Sequence, residues 1–472
     1  MEKSFLEGKR IAITANLLEQ KEHRGSASVI KSLIRLFSKY GADIYLITGF
    51  NLLKSVKNNE IYKEAKLINN IDISDIKLIF ENGRNDRELF RKSLKFRIKL
   101  LFELLINSFE LTYNKFNLKF NLFKINNNRK TIDKFDSRLG YLADIKGFIS
   151  IKNIFHICRS RSMRLLIKDP KLDLSKTKID LIISSNPLSL KYTKRNNAEI
   201  IQLIQDAIPL QWAGSFENPK VFTNTLFDAH KNCKCFYVSQ ESKKVVLKIL
   251  NIKNNKSPDS IIHPLPSLNL EILKKAYELS SIRSIKKPFI IFNSSFLEYK
   301  KVENAINYFN NSNLPKRNFL LCLAGKLHKS DYCEYIKNIC RENKNILLLD
   351  YVSEIEKAWL FLNSSLLIST SLYEGFGIPL LDALSINLSA IANDIPSYRE
   401  IKAINRKNRI KLIQRNNEKI WINYLNKLES FDIKDSNSKL LRIKFFKRFI
   451  NYYEESTLFK FRNLINQKQN NT

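Results

Sequence analysis

The chain has 472 residues, enough for two ordinary domains with their own cores, and its 44% hydrophobic and 11% aromatic content excludes wholesale disorder. Its formal net charge of +34 marks a surface that attracts anions, whether nucleic acid, anionic lipid or phosphorylated substrates, and charge alone does not choose among them. No apolar run approaches the ~20 residues that a membrane-spanning helix requires.

Six scattered cysteines (Cys158, Cys233, Cys235, Cys322, Cys333, Cys340) include no paired CxxC units and no adjacent histidine, so core thiols are expected and a zinc site is not. Heavy use of Lys, Asn and Ile beside only 11 Gly and 11 Pro is what an AT-rich coding sequence gives, which discounts part of the lysine excess. The opening MEKSFLEGKRIAI runs directly into a strand-like segment without the apolar core of a leader, and the expectation is a cytoplasmic protein.

In chain order, KRIAITAN reads as a strand, followed by a loop through Gly25 and a helix over SASVIKSLIRLFSKYG. Val29, Ile30, Leu33, Ile34 and Phe37 recur there at helical spacing, with Gly41 where the helix should stop. ADIYLITG is the next strand, which makes a strand–loop–helix–strand unit of a parallel sheet. IKLIFEN, IDLIISSN, AEIIQLIQD and KCFYVS are further strand candidates.

Residues 84–166 break this rhythm with a basic, Asn-rich composition. Within them RKSLKFRIKLLFELLINSF puts Leu94, Ile98, Phe102, Leu105 and Phe109 on one helical stripe, with Lys92, Lys95 and Lys99 on one side of it and Arg97 on the other. A basic helical insertion packed on the sheet with a solvated flank fits this pattern, and so does a helix lying on an anionic membrane surface.

NIKNNKSPDSIIHPLPS, with Pro264 and Pro266, reads as an exposed link between halves. The α/β rhythm then restarts with PFIIFNSS, NFLLCLAGK, NILLLDYV and SSLLIST, short apolar runs that suit strands covered by helices on both faces. The expected organisation is α/β, two Rossmann-like lobes facing across a cleft. The lobes span 1–275 (with the 84–166 insertion) and 286–425, and 426–472 forms a C-terminal helical segment and polar tail.

SLYEGFGIPLLDAL follows the strand SSLLIST, and ligands of open α/β sheets bind beyond such strand ends. Gly375 and Gly377 permit close backbone approach, and Pro379 suits the first turn of a helix whose N-terminus is a ready phosphate site. Glu374 and Asp382 bracket that cradle. Carboxylates accept hydrogen bonds from hydroxyls, so the pair suits a sugar nucleotide; simple helix capping accounts for the segment equally well.

The segment from Glu374 to Asp382, with Asn393-Asp-Ile-Pro-Ser-Tyr-Arg-Glu400 after it, resembles the donor-site signature of family-4 retaining glycosyltransferases of the GT-B fold. LEYKKVENAI resembles the stretch that holds the donor diphosphate, and LAGK and DYVSEIE match the strand ends before the motif. QDAIPL and YVSQESKKVV resemble the family's His-Asp-x-x-Pro and V-S-x-x-S/T segments.

The resemblance implies that Glu374 contacts the transferred sugar while backbone at Gly375, Phe376, Gly377 and Ile378 approaches the phosphates. Lys301, helped by Lys300, would neutralise the leaving diphosphate, and Asp382 would take the ribose hydroxyls. Gly325 and Tyr351 would line the donor site, with Gly25, Gln205 and Asp206 on the acceptor side of the cleft. It further implies a retaining, metal-independent transfer from a nucleotide-sugar, a substrate rather than a cofactor, to a glycan or lipid-linked acceptor in cell-surface polysaccharide synthesis. The absence of Asp-x-Asp agrees with a donor site that needs no metal.

Three departures stand out: Asp382 replaces the usual Glu, Gln205 replaces a His, and Ser385-Ile386-Asn387 replaces a small Gly-containing segment. A non-catalytic, membrane-associated scaffold is the alternative these departures allow. A nicotinamide oxidoreductase is excluded because TANLLEQKEHRGSA carries one glycine and no G-x-G-x-x-G. No recognisable nucleic-acid reading module is present, so no specific nucleic acid is expected.

Overall fold

In the computed structural model, the described residues are 5–20, 23–50, 52, 70–72, 117–126, 137–166, 168–193, 198–215, 217–252, 260–405, 409–415, 417–429 and 435–466. The expected strand IKLIFEN and the basic amphipathic helix of residues 91–109 lie outside them.

Two sheets form two lobes. The N-terminal sheet runs in spatial order Ser260–Ile261, Lys234–Tyr237, Glu199–Ile204, Leu181–Ser184, Arg10–Thr14, Asp43–Thr48, Gly147–Ser150, Asn121–Asn126, Asn70–Asp72. All neighbours are parallel except Asn121–Asn126 against Gly147–Ser150. The C-terminal sheet is wholly parallel: Ile346–Asp350, Leu320–Ala324, Phe289–Asn293, Leu366–Ser369, Ala390–Asn393, Ile410–Ile413. Strand residues alternate between the two helix layers, with Phe289 and Ile291 in one core and Ile290 and Phe292 in the other.

Two expected boundaries move. The described residues from 117 to 166 are not part of an insertion, because Asn121–Asn126 and Gly147–Ser150 extend the main sheet, with Phe123 and Phe148 buried in its core. The boundary expected at 275 cuts the helix Leu270–Glu278, which buries Leu273 and Ala276 and packs on the C-terminal lobe's helix Glu354–Asn363.

The final helix, Ser436–Asn466, ties the lobes together. Arg442 Nη1 donates to the carbonyls of Phe361, Leu362 and Ser364 in the C-terminal lobe, at 2.9, 2.9 and 3.0 Å. Phe461 packs edge-on against Phe37 and Phe236 of the N-terminal lobe, each at 5.2 Å between centroids. All six cysteines are buried and unbridged, as their apolar surroundings suggest. No helix among the described residues is long and apolar enough to cross a membrane.

Candidate active site

Strand Leu366–Ser369 delivers the chain to Glu374 at the mouth of the cleft, and helix Ile378–Ser385 begins directly after. Gly377 starts that helix at φ +113, and a Cβ there would lie 2.4 Å from Tyr398 Cε1, so both backbone and space require glycine. Tyr398 in turn places its hydroxyl 3.2 Å from Glu374 Oε1 and 2.6 Å from Ser369 Oγ. Burial pushes this phenol well above its ordinary range, and the Glu374 charge adds to the effect, so Tyr398 remains a neutral hydrogen-bonding group.

Lys300 Nζ sits 2.6 Å from Glu374 Oε1, and both side chains are largely buried. Burial works against this ammonium, but Glu374, Tyr299 and Asp206 outweigh it and hold Lys300 above the ordinary lysine value. Lys301, the stronger expectation for the diphosphate, is not brought to this pair. Its backbone is left-handed (φ +50) at the start of helix Val302–Asn310, and its Nζ pairs with Glu303 at 3.3 Å. The hydroxyl of Thr370 donates to the carbonyls of both lysines, 3.0 Å for Lys300 and 2.6 Å for Lys301, fixing this divergence.

The opposite lobe closes onto the same loop. Gly375 lies against Gln205 and Asp206, and its carbonyl accepts from the hydroxyls of Ser239 (2.6 Å) and Ser242 (3.3 Å). Gln205 Nε2 donates to the carbonyls of Ser185 (2.8 Å) and Ser26 (3.3 Å), so this residue organises backbone where an acid or base was the family pattern. A Cβ on Gly25 would meet Ile378 Cγ1 at 3.8 Å, which places the start of helix Gly25–Lys39 against the N-terminal end of Ile378–Ser385. Burial pushes the Asp206 carboxyl above the usual range, and nearby Glu374 adds to that.

Phe376 is buried and stacks on His263 at 4.8 Å, and His263 Nε2 is 3.2 Å from Glu400 Oε2. Glu400 also accepts the backbone N–H groups of Gln240 (3.0 Å) and Glu241 (3.3 Å), at the N-terminus of helix Gln240–Ile249. Gly325 N–H donates to Asp350 O at 2.8 Å, next to Tyr351, whose hydroxyl donates to His23 O at 3.4 Å.

Asp382 does not face the cleft. It is fully buried; Oδ1 accepts from the N–H groups of Ser267 (2.7 Å) and Leu268 (3.2 Å), and Oδ2 from the Ser267 hydroxyl, with Lys357 Nζ 3.4 Å away. Both oxygens are therefore engaged with the inter-lobe link, and the ribose contact expected of it gives way to a structural tether. Sequence reasoning also missed Tyr299, Tyr398, Ser239, Ser242 and Glu400 as site residues. For the serines and Glu400 the signal was present in the quoted YVSQESKKVV and Asn393–Glu400 segments. Among the described residues, no cluster of three or more His, Cys, Asp or Glu converges as a metal site would.

Two lobes built on largely parallel sheets, with the Glu374–Lys300 pair beside a helix N-terminus, have the architecture of the GT-B fold. Over nearly its whole length the chain superposes on sucrose-phosphate synthase from Thermosynechococcus elongatus (TM-score 0.54, 10% identity, covering 97% of this chain and 98% of that one). It superposes comparably on the catalytic domain of starch synthase IV from Arabidopsis thaliana bound to ADP and acarbose (TM-score 0.52, 10% identity, 97% and 99%). A mutant of S. aureus TarM, in complex with fondaparinux, alpha-GlcNAc-glycerol and UDP, gives a TM-score of 0.50 at 15% identity, covering 97% of this chain and 100% of that one. Residues 277–438 match the family of glycosyl transferases group 1. An 87-residue stretch is 33% identical to the serotype-specific mannosyltransferase WbdA of Escherichia coli; it spans 18% of this chain and 11% of that protein's length.

Proposed function

We propose that the chain is a retaining, metal-independent glycosyltransferase that moves a sugar from a nucleotide-sugar to a glycan or lipid-linked acceptor in cell-surface polysaccharide synthesis. The observation that carries this reading is the Lys300–Glu374 pair at the N-terminal end of helix Ile378–Ser385.

An ammonium has three donor protons, and Glu374 engages one of them. The others, with the N–H groups and dipole of the helix end, suit a diphosphate on which negative charge grows as the sugar leaves. Glu374, oriented by Lys300 and Tyr398, has its second oxygen for a sugar hydroxyl. Retention then needs no side-chain nucleophile, only a clamped leaving group and an acceptor hydroxyl held on the same face. The UDP and ADP bound in the TarM and starch synthase structures support a nucleoside diphosphate as the leaving group. A cytoplasmic position at the inner face of the membrane is part of the proposal and rests on the apolar stripe of residues 91–109 with its basic flanks.

Nucleotide release across GDP-, UDP-, ADP- and dTDP-sugars, with and without saccharide acceptors, tests it. One donor class should release nucleotide in EDTA, give product with the donor's anomeric configuration by NMR, and fall silent in Glu374→Ala. Neither release nor binding with any of these donors would sink the catalytic reading.

A further inference from the structure

Three aromatic rings meet beside the reacting pair, and cations stand over two of them: Lys300 Nζ is 4.9 Å from the Tyr299 ring centroid and Arg415 Cζ 5.6 Å from that of Tyr373. Trp212 comes from the N-terminal lobe, just after the short helix Ile208–Gln211. Tyr299 and Tyr373 come from the C-terminal lobe, and each immediately precedes a member of the reacting pair, Lys300 and Glu374 respectively. The Trp212 ring centroid is 6.3 Å from that of Tyr299 and 6.1 Å from that of Tyr373, with interplanar angles of 58° and 47°. Rings tilted in this way touch without covering each other's faces. All three residues are half-buried.

Two carboxyls share this side of the cleft. Burial pushes both Asp206 and Glu217 above the usual carboxylate range, and Asp206 further raises Glu217, so the two are within electrostatic reach of each other. Glu217 N–H donates to Ser215 Oγ (3.3 Å) and Ser215 N–H to Trp212 O (3.1 Å), so Glu217 lies on the turn that carries Trp212, while Asp206 lies against Gly375, next to Glu374.

We propose that Trp212, Tyr299 and Tyr373 form the floor of an acceptor subsite that seats a pyranose ring, with Asp206 and Glu217 accepting hydrogen bonds from its hydroxyls. A pyranose presents two kinds of surface. Its C–H face is apolar and slightly electropositive, and suits the negative face of an aromatic ring. Its hydroxyl rim donates to carboxyl oxygens. A phosphate-bearing alcohol has no comparable C–H face to lay on the rings. The subsite therefore selects a sugar residue as the acceptor's reacting end. One ring belongs to one lobe and two to the other, so the floor is complete only when the lobes are closed. This inference rests on the glycosyltransferase reading and deepens it.

Intrinsic fluorescence isolates the platform, because the other two of the chain's three tryptophans, Trp359 and Trp421, are fully buried. The full chain is titrated with methyl α- and β-pyranosides of glucose, galactose, mannose and N-acetylglucosamine, with glycerol 1-phosphate as the comparison. Each titration is run with and without UDP and GDP. At least one pyranoside should give a saturable change that glycerol 1-phosphate does not. Glu217→Gln keeps the tryptophan signal and should weaken that pyranoside at least about fivefold. Trp212→Ala, followed by calorimetry with its circular dichroism checked, should weaken it at least about tenfold.

No saturable response to any pyranoside, an equal response to glycerol 1-phosphate, or unchanged affinity in both variants would overturn the subsite. Nucleotide binding is measured separately by calorimetry. Its absence would count against the transferase reading, while the pyranoside titrations still decide the subsite.

Discussion

A Cβ built on Gly375 would lie 2.2 Å from the carbonyl oxygen of Gln205. The donor loop of one lobe thus meets a strand end of the other, backbone against backbone, and no side chain can be added between them. Ser239 and Ser242 hold the Gly375 carbonyl from the same side. Gly375→Ala should wedge the lobes apart without disturbing either core. A displacement of about 1 Å at reacting groups costs on the order of 10²-fold, so kcat/KM for transfer should fall by about that much. Small-angle scattering should show a larger radius of gyration at an unchanged melting temperature. Full activity in this variant would mean that the contact is dispensable.

The two neighbouring lysines should separate cleanly by mutation. Lys300→Ala leaves Glu374 without the ammonium that lies 2.6 Å away and removes a donor from the leaving diphosphate, which should lower kcat by about 10²–10³-fold. Lys301→Ala breaks only its partly exposed pair with Glu303, and such pairs are worth about 0–1 kcal/mol, so activity should stay within about threefold. Steady-state kinetics on the two variants, with the donor found active, decides this. Equal losses would return Lys301 to the reacting centre.

What the sequence disclosed and what it hid divide along the range of the interactions. Strand cores such as Phe289–Asn293 and the Glu374–Pro379 turn were legible because apolar runs, glycine spacing and helix starts are local patterns. Lys300 and Lys301 were not separable, since they have the same chemistry and only the left-handed backbone at Lys301 sends them different ways. Asn121–Asn126 and Gly147–Ser150 were hidden in a basic, Asn-rich background, and their place is set by pairing across the sheet. The role of Asp382 was invisible because its partner Ser267 is 115 residues away.

Asp382→Ala should therefore act on stability before it acts on nucleotide affinity. It strands two buried N–H groups and leaves the Lys357 ammonium with the Ser267 hydroxyl but no counter-charge there, and breaking a buried pair typically costs about 3–5 kcal/mol. Asp382→Glu does not restore a ribose contact. It forces a methylene into a fully buried site, at a cost of about 1–3 kcal/mol. Urea unfolding measures both, with calorimetry of UDP or GDP alongside. Unchanged stability with nucleotide affinity lost would give Asp382 back its ribose role.

His23 predicts an acid-sensitive N-terminal lobe. The ring is buried beside the Tyr141 ring, its Nε2 lies 3.0 Å from Leu18 O, and the buried Lys31–Glu354 pair that bridges the lobes is close by. Burial, reinforced by the Lys31 charge, lowers its pKa from the ordinary 6.5 to about 3. Between those two values the unfolded chain binds a proton that the folded chain refuses, so stability rises with pH across that window. The contribution is fully present above about pH 6.5 and is lost progressively as pH falls towards 3. In His23→Gln the slope of unfolding free energy against pH should be shallower by about one proton, or ~1.4 kcal/mol per pH unit, between pH 6 and about 4. Urea melts of both proteins at half-unit steps of pH measure the difference. Parallel slopes in the two would show that His23 is not the group that refuses the proton.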